Sequence, residues 1–254
     1  MYIFKKNLVS KDKYSIKCPY SMKVEYITVH DTANNASATN EIQYMITNNN
    51  EVSFHLAVDE TQVIQGLPFN RNSWSCGDGA KGNGNRKSIS VEICRPTHND
   101  KSLYLQAEEN AVYVVARLLY SHNLSIERLK KHQDWANKTC PNVILSENRW
   151  KGFKGRVHWV LDEIKKGNIE AGLEGGTTGL KNNANIAVST ATTFLVKIIC
   201  DELNIRKEAS FDSKVVGVVK KDEVFTIVDQ QNGLYKLKSG AGWISAGIKY
   251  VQKF

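Results

Sequence analysis

The stretch Val24-Glu25-Tyr26-Ile27-Thr28-Val29-His30 is rich in β-branched and aromatic residues and ends on a histidine. Such a run predicts a buried strand. The residues that follow, Asp31-Thr32-Ala33-Asn34-Asn35, are mostly polar and predict a turn. His30 is therefore placed at the carboxyl end of a strand, which is the edge where open α/β sheets carry their sites.

A second strand is predicted at Ser88-Ile89-Ser90-Val91-Glu92-Ile93, where apolar and polar residues alternate. The alternation places the carboxylate of Glu92 within a strongly β-like pattern. Taken alone, Glu92 fits the polar side of an edge strand as well as it fits a site, and the pattern leaves both interpretations open.

Three residues have the side chains of a metal site: His30, His132 and Cys140. Two imidazoles and one thiolate suit a zinc ion whose fourth position is open to water, which is the catalytic pattern of zinc coordination. The spacing alone does not show that the three residues meet. No C-x2-C pair occurs in the sequence, so a zinc finger is not supported. If the three residues converge, the sequence predicts a hydrolase.

The first two thirds of the chain mix strand and helix signals, so we predict an α/β domain with a mixed central sheet flanked by helices. Apolar residues at helical spacing predict helices over 38–47, 107–122 and 146–166, the last with Ser146 as its N-cap and Gly167 as its stop. Strands are predicted near 25–30, 54–58, 62–65 and 88–93. This domain is assigned to residues 1–167.

Residues 168–193 are rich in Gly, Asn and Thr and show no periodicity, which predicts a flexible linker. Short β-like runs separated by turns follow and predict a small all-β barrel over 194–254. These runs lie at 194–199, 215–219, 224–228, 234–237 and 242–245. Phrases such as Gly242-Trp243-Ile244-Ser245 resemble the bacterial SH3-like domains that anchor enzymes to peptidoglycan. Tyr235, Trp243 and Tyr250 are candidate exposed aromatics for wall binding, although each could equally belong to the barrel core.

Five segments in order carry a second resemblance: 26–30, 51–59, 72–77, 90–92 and 132–141. Together they resemble the zinc N-acetylmuramoyl-L-alanine amidases, which include amidase-type phage lysozymes and peptidoglycan-recognition proteins. The endolysins of phages that infect Gram-positive bacteria are the members that the chain is most similar to. The resemblance covers roughly the first two thirds of the chain.

The resemblance implies a ligand set and a mechanism. It places the metal ligands on His30, His132 and Cys140, the acid/base carboxylate on Glu92 and a cationic residue on Lys138. Some relatives carry a tyrosine before the histidine of the second motif, whereas this chain has Phe54 there. The resemblance therefore implies Zn²⁺ as cofactor and Glu92, rather than a phenol, as the proton carrier.

The formal net charge of +8 favours an anionic partner. Nucleic acid is disfavoured because the lysines are dispersed and no nucleic-acid motif is present. Anionic polymers of a cell wall fit the same charge, and so does solubility alone. The five cysteines are an odd number with irregular spacing, which indicates folding in a reducing cytoplasm. We also expect no signal peptide and no membrane-spanning segment.

From the sequence we thus expect a peptidoglycan hydrolase that cleaves the amide between N-acetylmuramic acid and L-alanine. Its partners would be Gram-positive peptidoglycan and the associated anionic wall polymers. It would be made in the bacterial cytoplasm and act on the wall after release. Asn34, Arg71 and Trp74 are candidate substrate contacts. The alternative is a non-catalytic peptidoglycan-recognition protein, which the simultaneous presence of the ligand set and Glu92 disfavours. The oligomeric state is not predicted.

Overall fold

A computed structural model describes residues 2–175, 194–231, 233–247 and 250–253 of the chain. The chain divides into two compact units, residues 1–181 and 182–254. No helix in the described ranges is long and apolar enough to cross a lipid bilayer. All five cysteines are described, and all are free thiols.

A six-stranded sheet organises the first unit, with the strand order β1-β4-β3-β5-β2-β6. Only β3 and β4 pair in antiparallel fashion; the other neighbours are parallel. The predicted mixed sheet is therefore confirmed. The strands are β1 (Ile3–Lys6), β2 (Tyr26–Asn35), β3 (Leu56–Val58), β4 (Gln62–Gln65), β5 (Ser88–Arg95) and β6 (Leu129–Lys131).

Helices cover both faces of this sheet. Side chains alternate between the two faces along β2 and β5. Ile27, Val29 and Val91 therefore lie on one face, in the larger core that also contains residues of the helices over 101–121 and 150–165. The opposite face, which includes Ala57 and Cys94, packs with the helix over 38–47. The helices are α1 (Tyr14–Lys17), α2 (Ala38–Thr47), α3 (Asn83–Lys87), α4 (Lys101–Ser121), α5 (Asn142–Ser146) and α6 (Trp150–Lys165).

Two predicted helix boundaries are wrong for local reasons. The helix predicted from 107 begins at Lys101, because the Asp100 carboxylate accepts hydrogen bonds from the backbone N–H groups of the first turn. The helix predicted from Ser146 begins at Trp150, and Ser146 instead ends α5. Asn148, in the left-handed conformation at φ 57°, separates the two helices.

The predicted turn after His30 is also wrong, since β2 continues to Asn35. The extension pairs with the end of β5, where Asn35 lies opposite Arg95 after an irregularity in the register. The Arg95 N–H donates to the Thr32 hydroxyl over 3.0 Å, which ties the polar end of β2 to its neighbour. A polar strand end is stabilised here by a partner that local sequence does not reveal.

The first residues of the predicted linker belong to the packed body of the first unit. Ile169 is buried, and Arg117 donates to the carbonyl of Glu170 over 3.0 Å. A 3-10 turn covers Leu173–Gly175. Residues 176–193 of the predicted linker lie outside the described residues.

The second unit contains a seven-stranded sheet in the order β13-β7-β10-β11-β12-β8-β9. All of its pairings are antiparallel, which agrees with the predicted all-β class. Val196, Ile227 and Ile244 are among its fully buried core residues. The strands are β7 (Phe194–Ile198), β8 (Glu202–Arg206), β9 (Val215–Lys220), β10 (Val224–Gln231), β11 (Leu234–Leu237), β12 (Trp243–Ser245) and β13 (Val251–Lys253).

A buried ion pair joins α4 to α6, and it generates a prediction about stability. The carboxylate of Glu108 is fully buried and pairs with Arg149 and Arg156. Glu108→Ala would leave both guanidinium groups short of a partner, so we expect it to destabilise the first unit by about 3–5 kcal/mol. Urea unfolding measures this loss. Asp162→Ala, which removes an exposed i,i+3 pair on α6, should cost less than about 1 kcal/mol. Equal losses in the two variants would contradict the prediction.

Candidate metal centre

Three parallel strands bring the candidate ligands to one edge of the first sheet. In the β2–β5 pairing His30 lies opposite Glu92, and in the β2–β6 pairing Val29 lies opposite Lys131, the residue before His132. Neighbouring strands are about 4.8 Å apart, so side chains on the same face at these positions reach one another. The register of the sheet thus builds the site from residues far apart in sequence.

The three predicted ligands converge. The Nδ1 atoms of His30 and His132 lie 3.0 Å apart, and the Sγ of Cys140 lies 3.9 Å from the Nδ1 of His30. The candidate ligand atoms all lie within 4.8 Å of one another, and all three residues are buried. Among the residues that the structure describes, this is the cluster suited to a metal ion.

Burial keeps these donors uncharged. It lowers the pKa of both His30 and His132, and the positive charge of Lys138 lowers both further. Burial also raises the pKa of the Cys140 thiol to about 12, with the charge of Glu92 adding to the effect. Neutral imidazoles offer lone pairs to a cation, and a bound cation supplies the charge that stabilises a thiolate.

The spacing and the chemistry of the donors fit zinc. Bonds of about 2.0–2.3 Å in a tetrahedron separate neighbouring ligand atoms by roughly 3.3–3.8 Å. The observed 3.0 and 3.9 Å separations differ from that range by a few tenths of an ångström at most. Two nitrogens and one sulfur are ligands that zinc prefers, and three protein ligands leave a position open.

Glu92 lies beside the cluster, as predicted, rather than on a solvent-facing edge. Its Oε1 is 3.9 Å from the Nδ1 of His30, and its buried Oε2 has no hydrogen-bond partner among the described residues. Burial and, to a smaller extent, the charges of Asp31 and Glu41 raise the pKa of this carboxyl to about 8. The charge of Lys138 acts in the opposite direction. A carboxyl with such a pKa exchanges protons near neutral pH.

Lys138 lies in the exposed part of the segment that leads to Cys140. Its charge acts on both histidines and on Glu92, which places its cationic head near the cluster. The role of Lys138 stays a prediction.

Asp31 is a site residue that the sequence interpretation missed. Its two carboxylate oxygens accept hydrogen bonds from the N–H groups of Asn142 and Val143 over 2.8 and 2.7 Å. Arg95 pairs with the same carboxylate at 3.3 Å. Asp31 therefore fixes the start of α5, directly after Cys140. A carboxylate next to a candidate ligand was the signal that could have indicated it.

Cys76 also contacts both histidines. Its backbone carbonyl accepts a hydrogen bond from His132, and its Sγ lies 3.9 Å from the Nε2 of His30. Both contacts leave the Nδ1 atoms of the histidines directed at each other. Partners of this kind hold the orientation of metal-binding histidines.

The segment 51–59 has a structural role and provides no phenol near its histidine. His55 is fully buried, where its Nδ1 accepts from the Ser90 N–H over 3.0 Å and its Nε2 lies 2.9 Å from the Arg71 carbonyl. Burial lowers the pKa of His55 to about 4, so the ring is neutral and acts as a structural bridge. Phe54 is 7% exposed and has no hydroxyl to share in proton transfer.

The three predicted substrate contacts have different surroundings, and their role stays a prediction. Asn34 lies at the exposed end of β2, on the rim of a cleft. The guanidinium of Arg71 donates to the Cys18 carbonyl over 2.6 Å, and the Trp74 indole donates to the Ile16 carbonyl over 3.0 Å. Arg71 and Trp74 thus hold the amino-terminal segment, and no contact given by the structure joins them to the metal cluster.

The aromatic residues predicted for wall binding are less exposed than expected. Trp243 is only 7% exposed, so the prediction of an exposed groove residue is wrong for it. It lies outside the core cluster that contains its neighbour Ile244, and the Nζ of Lys236, opposite it on β11, lies 5.5 Å from the centroid of its ring. Tyr235 and Tyr250 are half-buried against the core of the second unit. Their part in wall binding stays a prediction.

Two family profiles match the chain. One is described as N-acetylmuramoyl-L-alanine amidase and covers residues 20–143, which include all three candidate ligands. The other is described as bacterial SH3 domain and covers residues 201–248.

Curated relatives carry the same description. The N-acetylmuramoyl-L-alanine amidase XlyB of Bacillus subtilis is 50% identical over 76% of this chain and 56% of its own length. CwlA of the same organism is 58% identical over 63% of this chain and 58% of its own length. The match thus spans little more than half the length of these two relatives. A CwlA amidase of Bacillus sp. is 34% identical over 97% of both chains.

Solved structures show the same first unit. PlyL is 55% identical with a TM-score of 0.59, over 62% of this chain and 97% of that one. The PlyG catalytic domain is 48% identical with a TM-score of 0.57, over 70% of this chain and 99% of that one. With a relative of the same description matched along nearly its whole length, the chain belongs to the N-acetylmuramoyl-L-alanine amidase family.

Proposed function

We propose that this protein is a zinc-dependent peptidoglycan hydrolase that cleaves the amide between N-acetylmuramic acid and L-alanine. The observation that carries the proposal is the convergence of His30, His132 and Cys140 beside a buried Glu92 oxygen that has no hydrogen-bond partner among the described residues. Family membership supports the assignment of the bond that is cleaved. A protein that only binds peptidoglycan needs neither an open metal position nor a carboxyl that exchanges protons.

His30, His132 and Cys140 would hold the ion. A bound Zn²⁺ supplies Lewis acidity toward the amide carbonyl and lowers the pKa of water toward about 7. Amide hydrolysis further requires a group that takes a proton from water and returns one to the leaving nitrogen. Glu92 fits this role, because none of the described residues hydrogen-bonds to its Oε2 and its pKa is raised to about 8.

Two neighbours shape that chemistry. Lys138 brings a positive charge to the site, where it would stabilise negative charge that develops on the carbonyl oxygen. Phe54, in place of a tyrosine, has no acidic hydrogen, so the proton transfers fall to Glu92. The site thus uses one carboxyl for both proton steps.

We further propose that residues 1–167 act as the catalytic domain and 194–254 as the wall-binding domain, joined by a linker within 168–193. The match to a bacterial SH3 domain supports the second assignment. With a net charge of +8, the chain is also suited to walls that carry anionic polymers. Shape would contribute to the choice of ligand of the second domain, since Tyr235 and Tyr250 are half-buried and Trp243 is buried.

The reaction is tested on purified Gram-positive cell walls. We expect the protein to release new L-alanine amino termini, to release no new reducing sugar ends, and to lose this activity when a zinc chelator is added. Restoring Zn²⁺ should restore activity. Reducing ends without new amino termini would identify a glycosidase instead and overturn the proposal.

Glu92→Ala tests the proton carrier. We expect it to lower the rate of amide cleavage about 10²–10⁴-fold, which is the usual contribution of a general acid–base group. Folding and zinc content should change little, because Glu92 is not among the three ligands. Glu25→Ala, a partly exposed glutamate paired with Lys87, serves as the control. Loss of zinc from the Glu92 variant would instead indicate that Glu92 supports the metal.

Asp31→Ala tests the support of the metal site. Because Asp31 fixes the segment after Cys140, we expect zinc affinity to fall about 10–100-fold while the protein stays folded. Competition with a chromogenic chelator measures the affinity, and circular dichroism checks the fold. Asp12→Ala, at an exposed position, should bind zinc like the unchanged protein. Equal affinities for the two variants would show that Asp31 has no part in metal binding.

A further inference from the structure

A cleft of about 540 Å³ runs alongside α2, at the end of β2. Side-chain amides contribute much of its polar lining, from Asn34, Asn40, Asn48 and Asn50. Tyr44 and Val52, which are 65% and 66% exposed, contribute apolar surface. Amide groups beside exposed apolar side chains suit a ligand with peptide bonds and short aliphatic segments.

Glu41 is the charged residue among the described residues that line this cleft. It is only 8% exposed, and its buried Oε1 has no hydrogen-bond partner among the described residues. The structure gives its carboxylate a hydrogen bond from Asn34, and burial raises the pKa of the carboxyl. Burying a carboxylate oxygen without a hydrogen bond costs free energy. A donor that binds this oxygen, preferably a charged one, removes that cost.

The cleft and the metal centre share strand β2. Asn34 lies four residues beyond His30 on β2, which corresponds to about 13 Å along a strand. The charge of Glu41 raises the pKa of Glu92. A substrate whose amide bond lies at the metal centre can therefore extend to Glu41.

We propose that Glu41 binds a primary ammonium group of the wall polymer, and that it thereby sets a substrate preference of the hydrolase. The inference rests on the proposed function, because it assumes that the cleaved bond lies at the metal centre. An ammonium has three hydrogen-bond donors and a positive charge. One donor would hydrogen-bond to the Oε1 of Glu41, and the charge would offset the cost of burying the carboxylate.

Two parts of the wall polymer carry this group: a diamino acid in the stem peptide and a glucosamine without its acetyl group. An extended peptide advances about 3.5 Å per residue, so an ammonium on a four-carbon side chain two residues past the cleaved bond reaches roughly 13 Å. This reach matches the distance along β2 from His30 to Asn34. The two sources are separated by experiment.

The test uses N-acetylmuramoyl tripeptides whose third residue is either L-lysine or norleucine, which lacks the side-chain nitrogen. We expect the unchanged full-length protein to prefer the lysine peptide about tenfold or more in kcat/KM, with the difference in KM. Glu41→Gln should reduce that ratio to below about twofold, and any change in kcat should be the same for both peptides. Glu51→Gln removes the same charge at an exposed position and should retain the preference.

A second pair of substrates carries norleucine and an attached glucosamine with or without its acetyl group. A Glu41-dependent preference in this pair alone would identify the glycan as the source of the ammonium. A lysine preference that survives Glu41→Gln, or the absence of a Glu41-dependent preference in both substrate pairs, would overturn the inference.

Two further measurements keep the inference separate from the proposed function. Calorimetric binding of both tripeptides to Glu92→Ala reports the preference without turnover. If neither peptide is cleaved yet the lysine peptide binds more tightly through Glu41, the proposed reaction fails while the ammonium site stands. If Glu41→Gln does not fold, Glu41→Asp, which retains the charge on a shorter side chain, should keep part of the preference.

Discussion

The parallel pairing of β2 between β5 and β6 is the constraint on which the site depends. It sets His30 opposite Glu92 and one step from His132, although these residues are separated by long stretches of chain. A shift of one residue in the register would turn His30 to the opposite face of the sheet, into the core with α4. The hydrophobic alternation that buries Ile27 and Val29 therefore also orients the metal ligands.

Much of the first unit could be predicted because alternation and helical spacing are local signals. The bounds of α2 and β4 agree with their predicted ranges. Features that depend on a distant partner could not be predicted in this way. The polar end of β2 looks like a turn until Arg95 is placed beside it, and Asp31 has no visible role until α5 begins at its carboxylate.

In the second unit the strands were predictable and the exposure of their aromatics was not. Runs of β-branched residues mark β9 and β10 whatever lies around them. The burial of Trp243 depends on which strands pair with β12, and that is a property of the assembled sheet. The ligands of the first unit were easier to identify, because two histidines and a cysteine carry a chemical signal beyond their hydrophobicity.

The electrostatics of the site explain why one carboxyl can serve both proton steps. Burial, together with the charges of Asp31 and Glu41, raises the pKa of Glu92 to about 8. Asp31 is held by Arg95 and two N–H groups, so its charge is stabilised where it stands. Within the described part of the chain, the Oε2 of Glu92 has no such partner. The carboxyl beside the metal ligands thus combines a raised pKa with an oxygen that no described residue occupies, which suits it to take a proton and to return one.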